Sequence, residues 1–283
     1  MNATMSLMEI LEQRLASGKV QLPVFPPLAL QLQAMLAGDD ADIDKIAQKI
    51  ARDQALASQL LRVSNSAFYS GLSKITTIRD SIVRIGTQQV INLVHLATQE
   101  QQYRSKDKFI GLHLTNLWQH AAATAQGSLW LAERLGFQSM AHEAFLAGLL
   151  HDIGKLFLLK VMETIQASGN HNLELSTPVV DEVLDTMHAA QGALLLQKWN
   201  LPEVYCAVVR LHHQEDYDGS NPVLGIVRLA NLACHKLGIG LHQEPSIVVG
   251  ATPEARLLGL SELRAAELEI MLEDWIALNS QLN

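Results

Sequence analysis

The sequence has 283 residues, 48% hydrophobic and 18% charged, with a formal net charge of −8 and a pI near 5.7. That composition excludes general disorder, and the length allows a sizeable core in one large domain or two. The acidic balance, without a long Lys/Arg run, argues against nonspecific affinity for nucleic acid or an anionic membrane.

Aromatic residues make up only 5%, whereas Leu and Ala dominate, which points to helices. No apolar stretch reaches the roughly 18–20 residues of a membrane span. The opening residues lack the basic and apolar regions of a signal peptide. Cys206 and Cys234 lie far apart and outside any CxxC pair, so core packing is expected of them, and the cytoplasm is the expected compartment.

In chain order, Ile43, Ile46, Ala47, Ile50, Ala51, Leu56, Leu60 and Leu61 recur at spacings of three and four, the period of an amphipathic helix. Asn65, Ser66, Ser70 and Gly71 then cluster as turn chemistry. "TIRDSIVRIGTQQVINLVHLA" predicts two short helices broken at Gly86-Thr87, with Thr87 able to cap the second. The polar stretch 99–109 interrupts the pattern and suggests a boundary near residue 108.

Residues 112–135 predict a long helix closed by Gly136. Helical patterns follow in "MAHEAFLAGLLHDIGKLFLLKVM" and "STPVVDEVLDTMHAAQGALLLQKW". Asn200-Leu201-Pro202 turns the chain into a helix through "EVYCAVVRLHH", with Pro202 in its first turn. "DGSNP" is a loop, "PVLGIVRLANLACHKLG" a further helix, and two more start near Thr252-Pro253 and Ser261. "PSIVVG" (245–250) is the one short strand candidate. The chain reads as all-α.

Several histidines stand in the middle or at the end of apolar helices: His120, His151 beside Asp152, His188, and His212-His213. Asn231 holds a comparable position in "VRLANLA". An ionised carboxylate in an apolar run costs several kcal/mol unless it is paired. Imidazoles and a carboxylate together suit divalent Zn, Mn, Fe or Ni. One carboxylate can also bridge two ions, an arrangement used in phosphate ester hydrolysis. Taken singly, a histidine in an apolar helix is more often a hydrogen-bonded core or boundary residue than a ligand. His95, His113, His142, His171, His235 and His242 fit no pattern.

In their order, His120, His151-Asp152, His188, His212-His213 and the Asn231 position resemble the HD phosphohydrolase superfamily. "HDIGK" with the later "HH" and "DG" is similar to the HD-GYP branch, whose members hydrolyse cyclic di-GMP at a two- or three-metal centre. The resemblance implies that His120, His151, Asp152, His188, His212 and His213 are metal ligands, and that Lys155 contacts a substrate phosphate. In an active enzyme Asp152 and Lys155 would be the catalytic pair. Upstream, "LP", "DQALASQLLRVSNSAFY" and "ITTIRDSIVRIG" resemble the start of an HDOD domain, and "GALLLQKWNLPEVYCAVVRLHH" follows that family too.

The resemblance covers roughly residues 20–240. It implies a bacterial, all-helical regulatory module of the HDOD type: an N-terminal helical subdomain (1–108), an HD-like core (109–240) and C-terminal helices (241–283). Two departures stand out. Asn231 replaces the last ligand aspartate of HD enzymes, and "DGSNP" stands where HD-GYP proteins carry Gly-Tyr-Pro.

Two functions follow from the resemblance. One is a signal-transduction module with a degenerate metal site, binding a nucleotide ligand or a signalling partner without turnover. The other is a metal-dependent phosphohydrolase acting on a nucleotide or cyclic dinucleotide. No P-loop, dinucleotide fingerprint or G-x-S-x-G element is present.

Overall fold

The computed structural model describes residues 6–17, 20, 23, 25–36, 42–66, 74–168, 175–216 and 219–280. They carry fourteen α-helices and three short 3₁₀ turns, and no strand. The chain separates into two compact units, residues 24–102 and residues 1–23 with 103–283. The first helix, α1 (Leu7–Ala16), starts on a reciprocal capping box between Ser6 and Glu9 and belongs to the second of these units.

The unit 24–102 holds α2 (Pro27–Leu36), α3 (Ile43–Ala51), α4 (Gln54–Ser64), α5 (Ile78–Ile85) and α6 (Thr87–Glu100). The apolar spacing from Ile43 onward is shared between α3 and α4, because Asp53 stops one helix and caps the next through the Leu56 amide. Ile46, Ile50, Leu56 and Leu60 form the buried stripe. Of the expected turn, Asn65 ties the end of α4 to the Ile75 backbone, whereas Ser70 and Gly71 lie outside the described residues. Thr87 does not cap α6: it is the first helical residue, and Gly86 stands at the cap with no side-chain bond.

The other unit is built on α7 (Lys108–Arg134), whose N-terminus is capped by Asp107. After it come α8 (Ala141–Leu150), α9 (Ile153–Ala167), α10 (Thr177–Lys198), α11 (Glu203–Leu211), α12 (Pro222–Leu237), α13 (Pro253–Leu258) and α14 (Glu262–Ser280). α7 packs along α8 and α12, α9 along α10, and α10 along α11. A run of small buried residues on α7, Ala121 to Ala125, brings its neighbours close around the middle of the helix. Phe145, fully buried on α8, contributes about 2–3 kcal/mol by leaving water.

One expectation is overturned. "PSIVVG" forms a turn at Pro245-Ser246 and the start of a 3₁₀ turn, Val249–Ala251, with Val249 buried and Val248 exposed. A short Val/Ile run needs a second strand to satisfy its backbone, and the described residues offer it only helices. Cys206 and Cys234 are both free and buried, as core packing requires, and burial pushes the Cys234 thiol up to about 12.

Candidate metal centre

Each histidine of the centre reaches it by local rules. His120 is mid-helix on α7, and its ring Nδ1 lies 2.9 Å from the Ile239 carbonyl beyond α12. That loop comes so close that a side chain at Gly240 would meet the His120 Cβ at 2.8 Å and its ring at 3.1 Å, and Gly240 has a φ of 120°. His151 and Asp152 form the joint between α8 and α9, where the chain breaks for two residues before Ile153 restarts the helix. His188 projects from the middle of α10, and His212-His213 end α11.

The close approach of α9 and α10 depends on glycine. A Cβ on Gly154 would stand 1.9 Å from the His188 carbonyl oxygen and 2.9 Å from the Gly192 nitrogen. No side chain fits between two backbones at that distance, so Gly154 and Gly192 set how near His188 comes to Asp152.

Asp152 is the hub. Its Oδ2 lies 3.8 Å from His120 Nε2 and 3.5 Å from His151 Nε2, and its Oδ1 lies 3.4 Å from His188 Nε2 and 3.5 Å from His212 Nε2. Lys155, one turn into α9, donates to Oδ2 at 2.8 Å. All six of these side chains are buried. His213, exposed, completes the inner side, with its ring centroid 5.0 Å from that of His188.

The ring nitrogens turned away from Asp152 decide the chemistry. His120 Nδ1 faces the Ile239 carbonyl, His151 Nδ1 that of Gly148 at 2.7 Å, His188 Nδ1 that of Leu184 at 2.6 Å, and His212 Nδ1 that of Val209 at 2.9 Å. A carbonyl oxygen only accepts, so in each ring Nδ1 carries the proton and donates. Burial holds all four imidazoles neutral: His120 and His151 are pushed down to about 3, His212 to about 4, and His188 below the ordinary value. Nε2 is therefore a bare lone pair in every ring.

These lone pairs face one another, His120 against His151 at 3.2 Å and His188 against His212 at 3.3 Å. Two acceptors at that distance have no proton to share. Oδ1 of Asp152 is likewise buried without a hydrogen bond among the described residues. Burial by itself pushes the Asp152 carboxyl up, but the Lys155 ammonium bonded to it overrides burial and holds it well below the usual carboxylate range.

An anionic oxygen and inward-facing imidazole lone pairs form a donor set that a divalent cation satisfies. Locking each ligating ring through its other N–H is how protein metal sites orient histidine. Two groups can hold an ion: His120, His151 and Asp152, and Asp152, His188, His212 and His213, each with its donor atoms within 4.8 Å of one another. They share Asp152.

Every residue singled out in the sequence except Asn231 thus joins one cluster. Asn231 is buried on α12 with its amide oxygen unpartnered among the described residues. Two features go beyond what the sequence pattern offers, and one of them is a histidine that fits no pattern. His235, one turn beyond Asn231, stacks on His120 with centroids 5.2 Å apart and planes inclined by 29°; its spacing of four from Asn231 was the available signal. Arg228 pairs with buried Glu254 at 2.8 Å and donates to the His212 and Gln214 carbonyls at 2.8 and 2.7 Å, fixing the end of α11. No sequence pattern announces that clamp.

An all-helical bundle with a His-Asp pair at a helix joint, ringed by further imidazoles, defines a module of the HD type. The chain belongs to the HDOD family: the HDOD domain matches residues 22–215. An uncharacterized protein of Treponema pallidum (strain Nichols) is 29% identical over 225 residues, covering 75% of this chain. The chain spans less than half of that relative, 42% of its length.

Among solved structures, an HDOD domain protein of Geobacter sulfurreducens has a TM-score of 0.72 at 21% identity, covering 95% of this chain and 94% of its own. A candidate metal-dependent phosphohydrolase of Shewanella amazonensis SB2B has a TM-score of 0.65 at 18% identity, covering 94% and 98%. At these identities the likeness is one of fold. Among the described residues, no helix is long and apolar enough to cross a membrane.

Proposed function

We propose that this chain is a bacterial, cytoplasmic signal-transduction module whose HD-type centre takes divalent ions, among Fe, Mn, Zn and Ni, and recognises a nucleotide-type ligand or a signalling partner without turnover. The observation that carries the metal part is the facing of Nε2 lone pairs around Asp152. His120, His151 and Asp152 would hold one ion, and Asp152, His188, His212 and His213 another. A bound ion would supply positive charge and Lewis acidity toward a phosphate oxygen.

Support for the absence of turnover lies in the charge available. Asp152 is the one carboxylate in either donor set, and Asn231 brings a neutral amide where the resemblance calls for an acid. The Lys155 ammonium, which the resemblance assigns to a phosphate, is already bonded to Asp152. It balances the buried carboxylate, so its reach toward a ligand depends on an ion taking over that role.

The second reading, a phosphodiesterase, has one observation in its favour: the two donor sets share Asp152, as a bridging carboxylate would require. Protein loaded with Mn²⁺ and incubated with cyclic di-GMP and with bis-p-nitrophenyl phosphate separates the readings. The regulatory one expects calorimetric binding of the ion and no product from either ester. Catalytic release of product that depends on Asp152 overturns it in favour of the second.

A further inference from the structure

The donor set of the ion beside α7 is short. His120, His151 and Asp152 offer three atoms, and Asp152 is shared with the other set. A divalent ion of this class takes at least four donors, the fourth coming from the protein in a closed site or from water in an open one, and α12 packs against α7. Two residues on one face of α12 present themselves, Asn231 and, four positions on, His235.

The register of α12 on α7 is fixed on either side of them. Ala230 packs where a Gly127 side chain would be, at 3.2 Å, and the Thr124 hydroxyl reaches the Cys234 sulfur at 3.6 Å. This places the His235 ring 5.2 Å from that of His120. Similar spacings separate imidazoles within each donor set, 5.2 Å for His120 and His151, 5.3 Å for His188 and His212 and 5.0 Å for His188 and His213, while the consecutive His212 and His213 rings are 4.1 Å apart.

Two rings bound to one ion at about 2.1 Å per nitrogen have centroids about 5 Å apart. On its far side His235 meets His242 at 6.3 Å, edge to face, and His242 Nε2 lies 3.7 Å from Asp185.

We infer that His235, and not Asn231, is the α12 donor to the ion held by His120, His151 and Asp152. This rests on the reading above that the centre takes divalent ions. His235 stands outside the 4.8 Å set, so it closes on the ion by turning its ring, and its half-buried position leaves room to do so. The exchange trades a carboxylate at residue 231 for an imidazole one turn later, which removes one negative charge from the centre and favours later, imidazole-preferring metals.

Full-length protein is titrated with Co²⁺ by equilibrium dialysis, with the metal counted by elemental analysis and the visible ligand-field spectrum recorded. Wild type is expected to take two ions. His235→Ala and His235→Gln are expected to keep one ion at wild-type affinity and to bind the second at least tenfold more weakly, with its spectrum altered. Asn231→Ala is expected to keep both, and Asn231→Asp within His235→Ala to recover the second. Two ions bound by both His235 variants with unchanged affinity and spectrum overturn the inference alone. A wild type that takes no ion overturns the metal reading and this inference with it, and one that takes a single ion overturns the inference.

Discussion

The two compact units bury histidine in opposite ways. In residues 24–102, His95 lies on the apolar face of α6 against Phe25, 6.1 Å from ring to ring, with its Nδ1 lacking a hydrogen bond among the described residues. Burial alone drives it down to about 4. In the unit containing residues 103–283, four imidazoles are as deeply buried, yet each has its Nδ1 satisfied by a carbonyl and its Nε2 turned on one carboxylate. A buried histidine is thus a packing residue or a ligand according to what its second nitrogen does. Burial does not separate the two.

The largest effect is expected where that contrast is removed at its centre. Asp152→Asn leaves the Lys155 ammonium buried without its counter-charge, and such broken pairs cost about 3–5 kcal/mol. Urea unfolding measures the loss, and divalent-ion binding should vanish with it. Gly154→Ala tests the packing beneath the site. Its Cβ would meet the His188 backbone, so the expected cost is about 3 kcal/mol or more, accompanied by weakened ion binding as His188 is forced away from Asp152.

The next effect belongs to His95 and to pH. Its folded value lies below the ordinary 6.5, so between the two the unfolded chain binds a proton that the folded chain excludes. Stability is fully present above pH 6.5 and falls as pH drops toward 4, by roughly 3 kcal/mol across that window. His95→Leu has no proton to gain there. Denaturation of both proteins at pH 7.5 and 4.5 should show wild type losing roughly that much more than the variant, and parallel losses would contradict the assignment. The smallest effect is expected from Asp53→Ala, which removes the α4 cap and costs about 1 kcal/mol without changing ion affinity.

Much of this architecture was legible in the sequence. Asn221 caps α12 and Thr252 caps α13, close to where loop and Pro signals placed those starts. The order of His120, His151-Asp152, His188 and His212-His213 pointed to one centre. The ring orientation was not legible. A histidine bonded to the carbonyl three or four residues earlier, as His151, His188 and His212 are, has the same sequence signature as one bonded elsewhere.

His120 depends on a carbonyl 119 positions away, which spacing cannot reveal. His235 fits no pattern in the sequence, because the family order supplies Asn231 as the α12 position. "PSIVVG" misled because β-branched composition describes a strand only when another strand can pair with it.

The most direct test of the centre is anomalous diffraction from crystals soaked in Mn²⁺. The account expects peaks at about 2.0–2.3 Å from Asp152 oxygens and from imidazole Nε2 atoms on both sides of the carboxylate. Density without such a peak, with the Lys155 ammonium still bonded to Asp152 at saturating Mn²⁺, would contradict it.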